Sequence, residues 1–110
     1  MFGFGSPAVV EADAATVKAW LDAGEAVLID VREAAEYQRA HIAGAMLVSL
    51  SAFDVTRIPQ NGEKVVLACA VGRRSASAIA HLMGQGFKNL YNLRGGLNSW
   101  ASAGLPIEMA

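Results

Sequence analysis

The chain's single cysteine, Cys69, stands in the segment CAVGRRS, directly after the apolar run KVVLA of Lys64 to Ala68. A thiol acts as a nucleophile or carries a group only through its thiolate, so the neighbours must favour the anion. Gly72 is free to adopt a positive φ, and a short loop turning through it can aim several backbone N–H groups inward. If a helix begins near Arg74 or Ser75, its unpaired first-turn N–H groups join that nest and make an anion site, and a thiolate is an anion. Arg73 and Arg74 add positive charge at the helix end where the dipole does not favour cations, which itself points to an anion held there. The expected chemistry is nucleophilic catalysis by an ionised Cys69.

That site needs a strand to deliver the cysteine and a helix to receive it. Lys64 to Ala68 reads as the strand, and Ser75 to Gln85 as the helix, with Ala76, Ile79, Ala80 and Met83 on one face. The rest alternates in the same way. Strands are expected at Ala8 to Val10, Ala26 to Val31, Ala45 to Leu50 and Asn89 to Leu93, the AVLIDV run being continuous as in a strand covered on both faces. Helices are expected from Asp13, as N-cap, to Gly24, over about two turns between Glu33 and His41, from Ser51 to Ile58, and from Gly95 and Gly96 through Leu97, Trp100 and Ala101. The expectation is one α/β domain with a mostly parallel five-stranded sheet and helices on both faces. Asp30 and Arg32 at the end of a strand read as an ion pair or loop tether. His81 reads as a surface or packing residue, and Trp20 and Trp100 as core.

At 110 residues the chain is sized for one core, and 54% hydrophobic against 17% charged residues excludes global disorder. A net charge of −1 recruits neither nucleic acid nor an anionic membrane, so any anion site is local. One cysteine makes no internal disulfide, and with two histidines it builds no closed zinc site, so no metal is expected. The N-terminal residues lack the basic start and apolar stretch of a secretory signal, and no run reaches the roughly 20 apolar residues of a bilayer span, so a cytoplasmic location is expected.

Cys69 to Ser75 resembles the active-site loop of the rhodanese family of sulfurtransferases, Cys-x-x-Gly-x-Arg followed by Ser or Thr. LIDVRE (Leu28 to Glu33), HIAGA (His41 to Ala45) and LRGGLNSW (Leu93 to Trp100) match flanking motifs in the family's order, so the resemblance covers about residues 8–107. It implies a three-layer rhodanese-like fold, no cofactor, and a double displacement. Cys69 takes the outer sulfur of a small-molecule donor such as thiosulfate and passes it from a persulfide to cyanide in assay, or to a thiol or protein acceptor. It further implies that the loop from Ala70 through Val71, Gly72, Arg73 and Arg74 to Ser75 cradles the persulfide and the donor, with Asp30 and Arg32 behind it. His41 falls in a structural segment. Two other readings compete. A cysteine-dependent phosphatase or arsenate reductase requires Cys-x5-Arg, and position 75 is serine. A binding or regulatory module that keeps the fold without the chemistry is separated by whether Cys69 gains sulfur.

Overall fold

The apolar runs become strands where helices can cover them from both sides. The computed structural model describes residues 8–110; the leader reading of the first seven lies outside them. In chain order it contains β1 (Glu11–Ala12), α1 (Ala14–Asp22), β2 (Ala26–Asp30), α2 (Ala34–Arg39), β3 (Ala40–His41), β4 (Met46–Leu47), β5 (Lys64–Ala68), α3 (Arg73–Gly84), β6 (Leu90–Leu93), α4 (Gly96–Ser102) and β7 (Glu108–Met109). Five strands form one sheet in the order β1-β6-β5-β2-β4, every pairing parallel. The α/β expectation of a parallel sheet with helices on both faces therefore holds.

Side-chain alternation along β5 divides the core. Val66 and Ala68 pack with Val17 of α1 and with Leu97 and Trp100 of α4. Val65 and Leu67 pack with Ala78, Ile79 and Leu82 of α3. Val65, Val66 and Leu67 are completely buried, each burial favouring the fold by about 1.5–3 kcal/mol. Asp13 caps α1 as expected, accepting from the Thr16 N–H at 2.8 Å. Trp100 is core, and Trp20 is partly buried with its ring edge-on to Tyr91 at 4.9 Å.

Several boundaries differ from the sequence reading. The first strand lies at Glu11–Ala12 instead of Ala8 to Val10, where it pairs with Asn92 and Leu93. The strand read at Ala45 to Leu50 contracts to Met46–Leu47, although Val48 and Leu50 still donate to the carbonyls of Asp30 and Val31. Asn89 has a φ of 60° and cannot extend β6. Ser51 to Ile58 forms two 3-10 turns, Leu50–Ala52 and Val55–Arg57, not one helix. The packed chain also runs past residue 107, because β7 pairs antiparallel with β3 in a second, two-stranded sheet.

The register decides where chemistry can occur. Ala68 at the end of β5 lies level with Asp30 at the end of β2, and Leu67 level with Asn92 of β6. The carboxyl ends of the three central strands thus open on one edge, where ligands bind in parallel sheets.

Candidate active site around Cys69

Cys69 leaves β5 at that edge, and Ala70 to Gly72 carry the chain into α3. Gly72 turns with a φ of 98° and caps the helix, which begins at Arg73, slightly earlier than expected. A side chain at Gly72 would be strained by this φ and would sit 3.5 Å from Asn92 Nδ2 and the Gly95 amide. The turn brings the Gly72 N–H to 3.1 Å and the Ser75 N–H to 3.4 Å from Cys69 Sγ, with Ser75 Oγ also at 3.4 Å. Burial pushes the Cys69 thiol up, but the Ser75 hydroxyl and amide, then the Gly72 and Val71 amides, outweigh it and hold the thiol below its ordinary value. Cys69 is 1% exposed, whereas Val71 and Arg73 stand on the exposed rim of the loop.

The other expected residues divide. The Ala70 carbonyl accepts from the Asn98 N–H at 3.0 Å and ties the loop to α4. Arg74 is not a free cation. Its Nη1 and Nη2 hold Glu36 Oε1 and Oε2 at 2.8 and 3.0 Å, and this bridge draws the Glu36 carboxyl down to about 2. Arg74 is strengthened as a cation by Glu36 and, to a smaller extent, by Cys69. Among the described residues Arg73 has no salt-bridge partner, so it is the unpaired arginine of the pair.

Asp30 and Arg32 form the ion pair read from the sequence, buried, with Arg32 Nη2 at 2.8 Å from Asp30 Oδ2 and 2.7 Å from the Ala40 carbonyl. The pair makes no hydrogen bond to Cys69; it ties the end of β2 to β3, while the Val31 N–H bonds the Ala68 carbonyl at 2.9 Å. His41 stacks on Tyr37 at 3.9 Å and places Nε2 3.0 Å from Glu108, away from the thiol. His81 is exposed on α3.

Three contributors escape a reading of the sequence. Asn92, 1% exposed, donates through Nδ2 to the Gly72 carbonyl at 3.0 Å and to Glu11 at 3.1 Å, and its Oδ1 lies 2.5 Å from Ser75 Oγ. A buried amide in an apolar strand was the available signal. Gly96 lets α4 reach the loop: a Cβ there would stand 2.2 Å from the Cys69 carbonyl, which accepts from the Leu97 N–H at 2.9 Å. Glu36 is the third, and only its acidic character three residues after Glu33 hinted at more than a helix surface.

The arrangement presents a buried, acidified thiol at the floor of an amide-lined loop with arginines at its rim, suited to attack on an electrophile that bears an anionic group. No helix among the described residues is long and apolar enough to cross a membrane, and no group of three metal-ligating side chains occurs among them.

Comparison with known proteins agrees with this picture. The family described as Rhodanese-like domain matches residues 13–103. A protein of Allochromatium vinosum called Sulfurtransferase is 38% identical over 88 residues, covering 78% of this chain and 81% of its own. The Thiosulfate sulfurtransferase GlpE of Pseudomonas entomophila is 39% identical over 91 residues, covering 82% and 83%. Other curated relatives are much longer, the chain spanning 45% of one and 23% of another. Among solved structures, the rhodanese-like domain of an Anabaena protein superposes with a TM-score of 0.80 at 26% identity, covering 91% of this chain and 79% of that one.

Proposed function

Because the chain belongs to the rhodanese-like domain family, we propose that it is a sulfurtransferase in which Cys69 carries the sulfur between a small-molecule donor and a nucleophilic acceptor. The observation that carries this reading is the convergence of the Gly72 and Ser75 N–H groups on Cys69 Sγ, at 3.1 and 3.4 Å. Hydrogen-bond donors aimed at a sulfur favour its thiolate and, after transfer, the terminal sulfur of a persulfide.

With thiosulfate as donor, the Cys69 thiolate attacks the outer sulfur. A Cys69–sulfur bond forms, the donor's S–S bond breaks, and its electron pair leaves with sulfite. In the second step an acceptor nucleophile, cyanide or a thiolate, attacks the outer sulfur of the persulfide and returns Cys69 to the thiolate. The donor is reduced to sulfite as the Cys69 sulfur, and then the acceptor, is oxidised, so no outside oxidant or reductant is needed and one transfer is divided into two easier ones. Arg73, unpaired at the rim, and Arg74, which keeps its positive charge while bridged to Glu36, attract the donor's sulfonate. Asp30 and Arg32 keep the end of β2 fixed beside the loop.

Steady-state kinetics with thiosulfate and cyanide test the reading. Thiocyanate release with parallel double-reciprocal lines, the mark of a substituted-enzyme mechanism, is the expected result. Absence of turnover with any sulfane donor would leave the fold with a binding role.

A further inference from the structure

Glu36 reaches the reaction edge from a different element than the cysteine loop. It sits in α2, 38 residues before Arg74, and the two side chains meet in a two-bond bridge at 2.8 and 3.0 Å. Its Oε1 also accepts from the Glu33 N–H at 3.0 Å, so the carboxylate is anchored at its own helix start and is not free to swing aside. Arg74 stands in the first turn of α3, next to Ser75, whose amide touches Cys69 Sγ. A donor with an anionic head therefore meets a guanidinium whose two outer nitrogens already hold a carboxylate. With Cys69 ionised, the charges of Cys69, Glu36, Arg73 and Arg74 sum to zero; replacing the Glu36 carboxylate with an amide leaves a net positive site.

We propose that Glu36 is a specificity-determining residue: by occupying Arg74 it disfavours small doubly charged donors and favours sulfane sulfur carried on an uncharged or cationic thiol, as its persulfide. The proposal rests on the reading of Cys69 as the sulfur carrier, although the charge filter itself does not require sulfur transfer. Glu33, nearby on the same segment, keeps its charge but turns its carboxylate to Ser51 Oγ and makes no ion pair with Arg74, and Asp30 with Arg32 is a neutral pair, so Glu36 is the carboxylate bonded to Arg74.

Two alkylating agents measure the filter directly. Iodoacetamide and iodoacetate form the same carbon–sulfur bond at Cys69 and expel the same iodide, but only iodoacetate is an anion. The ratio of their rate constants cancels the thiolate fraction and reports the local potential. In Glu36→Gln, which keeps an oxygen for the Glu33 N–H, the iodoacetate to iodoacetamide ratio should rise by about threefold or more at low salt and fall back toward the original value at high salt. Arg74→Gln, which leaves the carboxylate without its cation, should move the ratio the opposite way. Ratios unchanged in both variants would overturn the proposal. A shifted ratio in a protein that takes no sulfur from thiosulfate would uphold the filter and count against the sulfurtransferase reading. If both hold, thiosulfate kcat/KM should rise in Glu36→Gln in step with the ratio.

Discussion

Ser75 Oγ lies 2.5 Å from Asn92 Oδ1 and 3.4 Å from Cys69 Sγ, so one hydroxyl proton faces two acceptors. The amide cannot reverse, because both Nδ2 hydrogens are engaged by the Gly72 carbonyl and Glu11. In the neutral thiol state the shorter bond to Asn92 holds the proton. When Cys69 ionises, the charged sulfur becomes the stronger acceptor and the hydroxyl turns toward it.

Cys69 should accordingly alkylate with a pH midpoint below that of an ordinary thiol, since the thiolate is the reactive form and its donors favour it. Ser75→Ala removes one of those donors and should move the midpoint up. Iodoacetamide labelling against pH in the two proteins measures both; an unmoved midpoint in Ser75→Ala would assign the effect to the backbone amides alone.

Asn92→Ala leaves the Gly72 carbonyl and the Ser75 hydroxyl short of a buried partner. It should cost about 2–3 kcal/mol, read as a melting temperature lower by about 10 °C or more for a chain of this size.

Gly96→Ala places a methyl group against the Cys69 carbonyl, 2.2 Å from the ideal Cβ position, at a φ of 61°. The nearest atoms, Cys69 O and Ala70 C and O, are all backbone with little room to yield, so a loss of about 2–4 kcal/mol is expected in a denaturant melt. The same shift should push α4 off the loop and raise the Cys69 titration, which distinguishes it from a remote packing defect.

The Cys69 loop was legible because everything needed to build it lies within the twelve residues from Lys64 to Ser75: an apolar strand, a glycine suited to positive φ, and first-turn amides of a helix. The alternation of apolar runs likewise exposed the parallel sheet. Glu36, Asn92 and Glu11 were not legible as partners, because contacts across 38, 17 and 81 residues arise from the strand order β1-β6-β5-β2-β4. In the sequence Arg74 reads as a free anion ligand for the same reason: its partner, Glu36, is on another helix. The β3 and β7 pair, two residues each, is too short to carry a periodicity.

Arg74→Ala should weaken the donor step by about 1.5–3 kcal/mol in thiosulfate kcat/KM, because it removes a cation and exposes the Glu36 carboxylate to the incoming anion. Arg73→Ala should cost less. Rates taken above the thiol midpoint separate this effect from any change in ionisation. If neither replacement changes kcat/KM by more than about twofold, the backbone amides alone bind the donor.

Acid should break the Glu36 to Arg74 bridge. The folded carboxyl titrates near 2 against 4.5 for the free group, so its stabilisation is complete above the unfolded value and disappears as pH falls from about 4.5 toward 2. Discounted for the partial exposure of both side chains, the loss is about 1 kcal/mol. Denaturant melts between pH 6 and pH 2.5 should show Glu36→Gln losing less stability on acidification than the original chain by that amount.

The most direct measurement is the intact mass of the protein after treatment with thiosulfate and removal of excess donor. The account predicts one added sulfur atom, located on Cys69 by fragmentation, removed by cyanide, and absent from Cys69→Ser, whose fold should persist because the replacement is nearly the same size. An unmodified Cys69, or sulfur gained equally by Cys69→Ser, would contradict it.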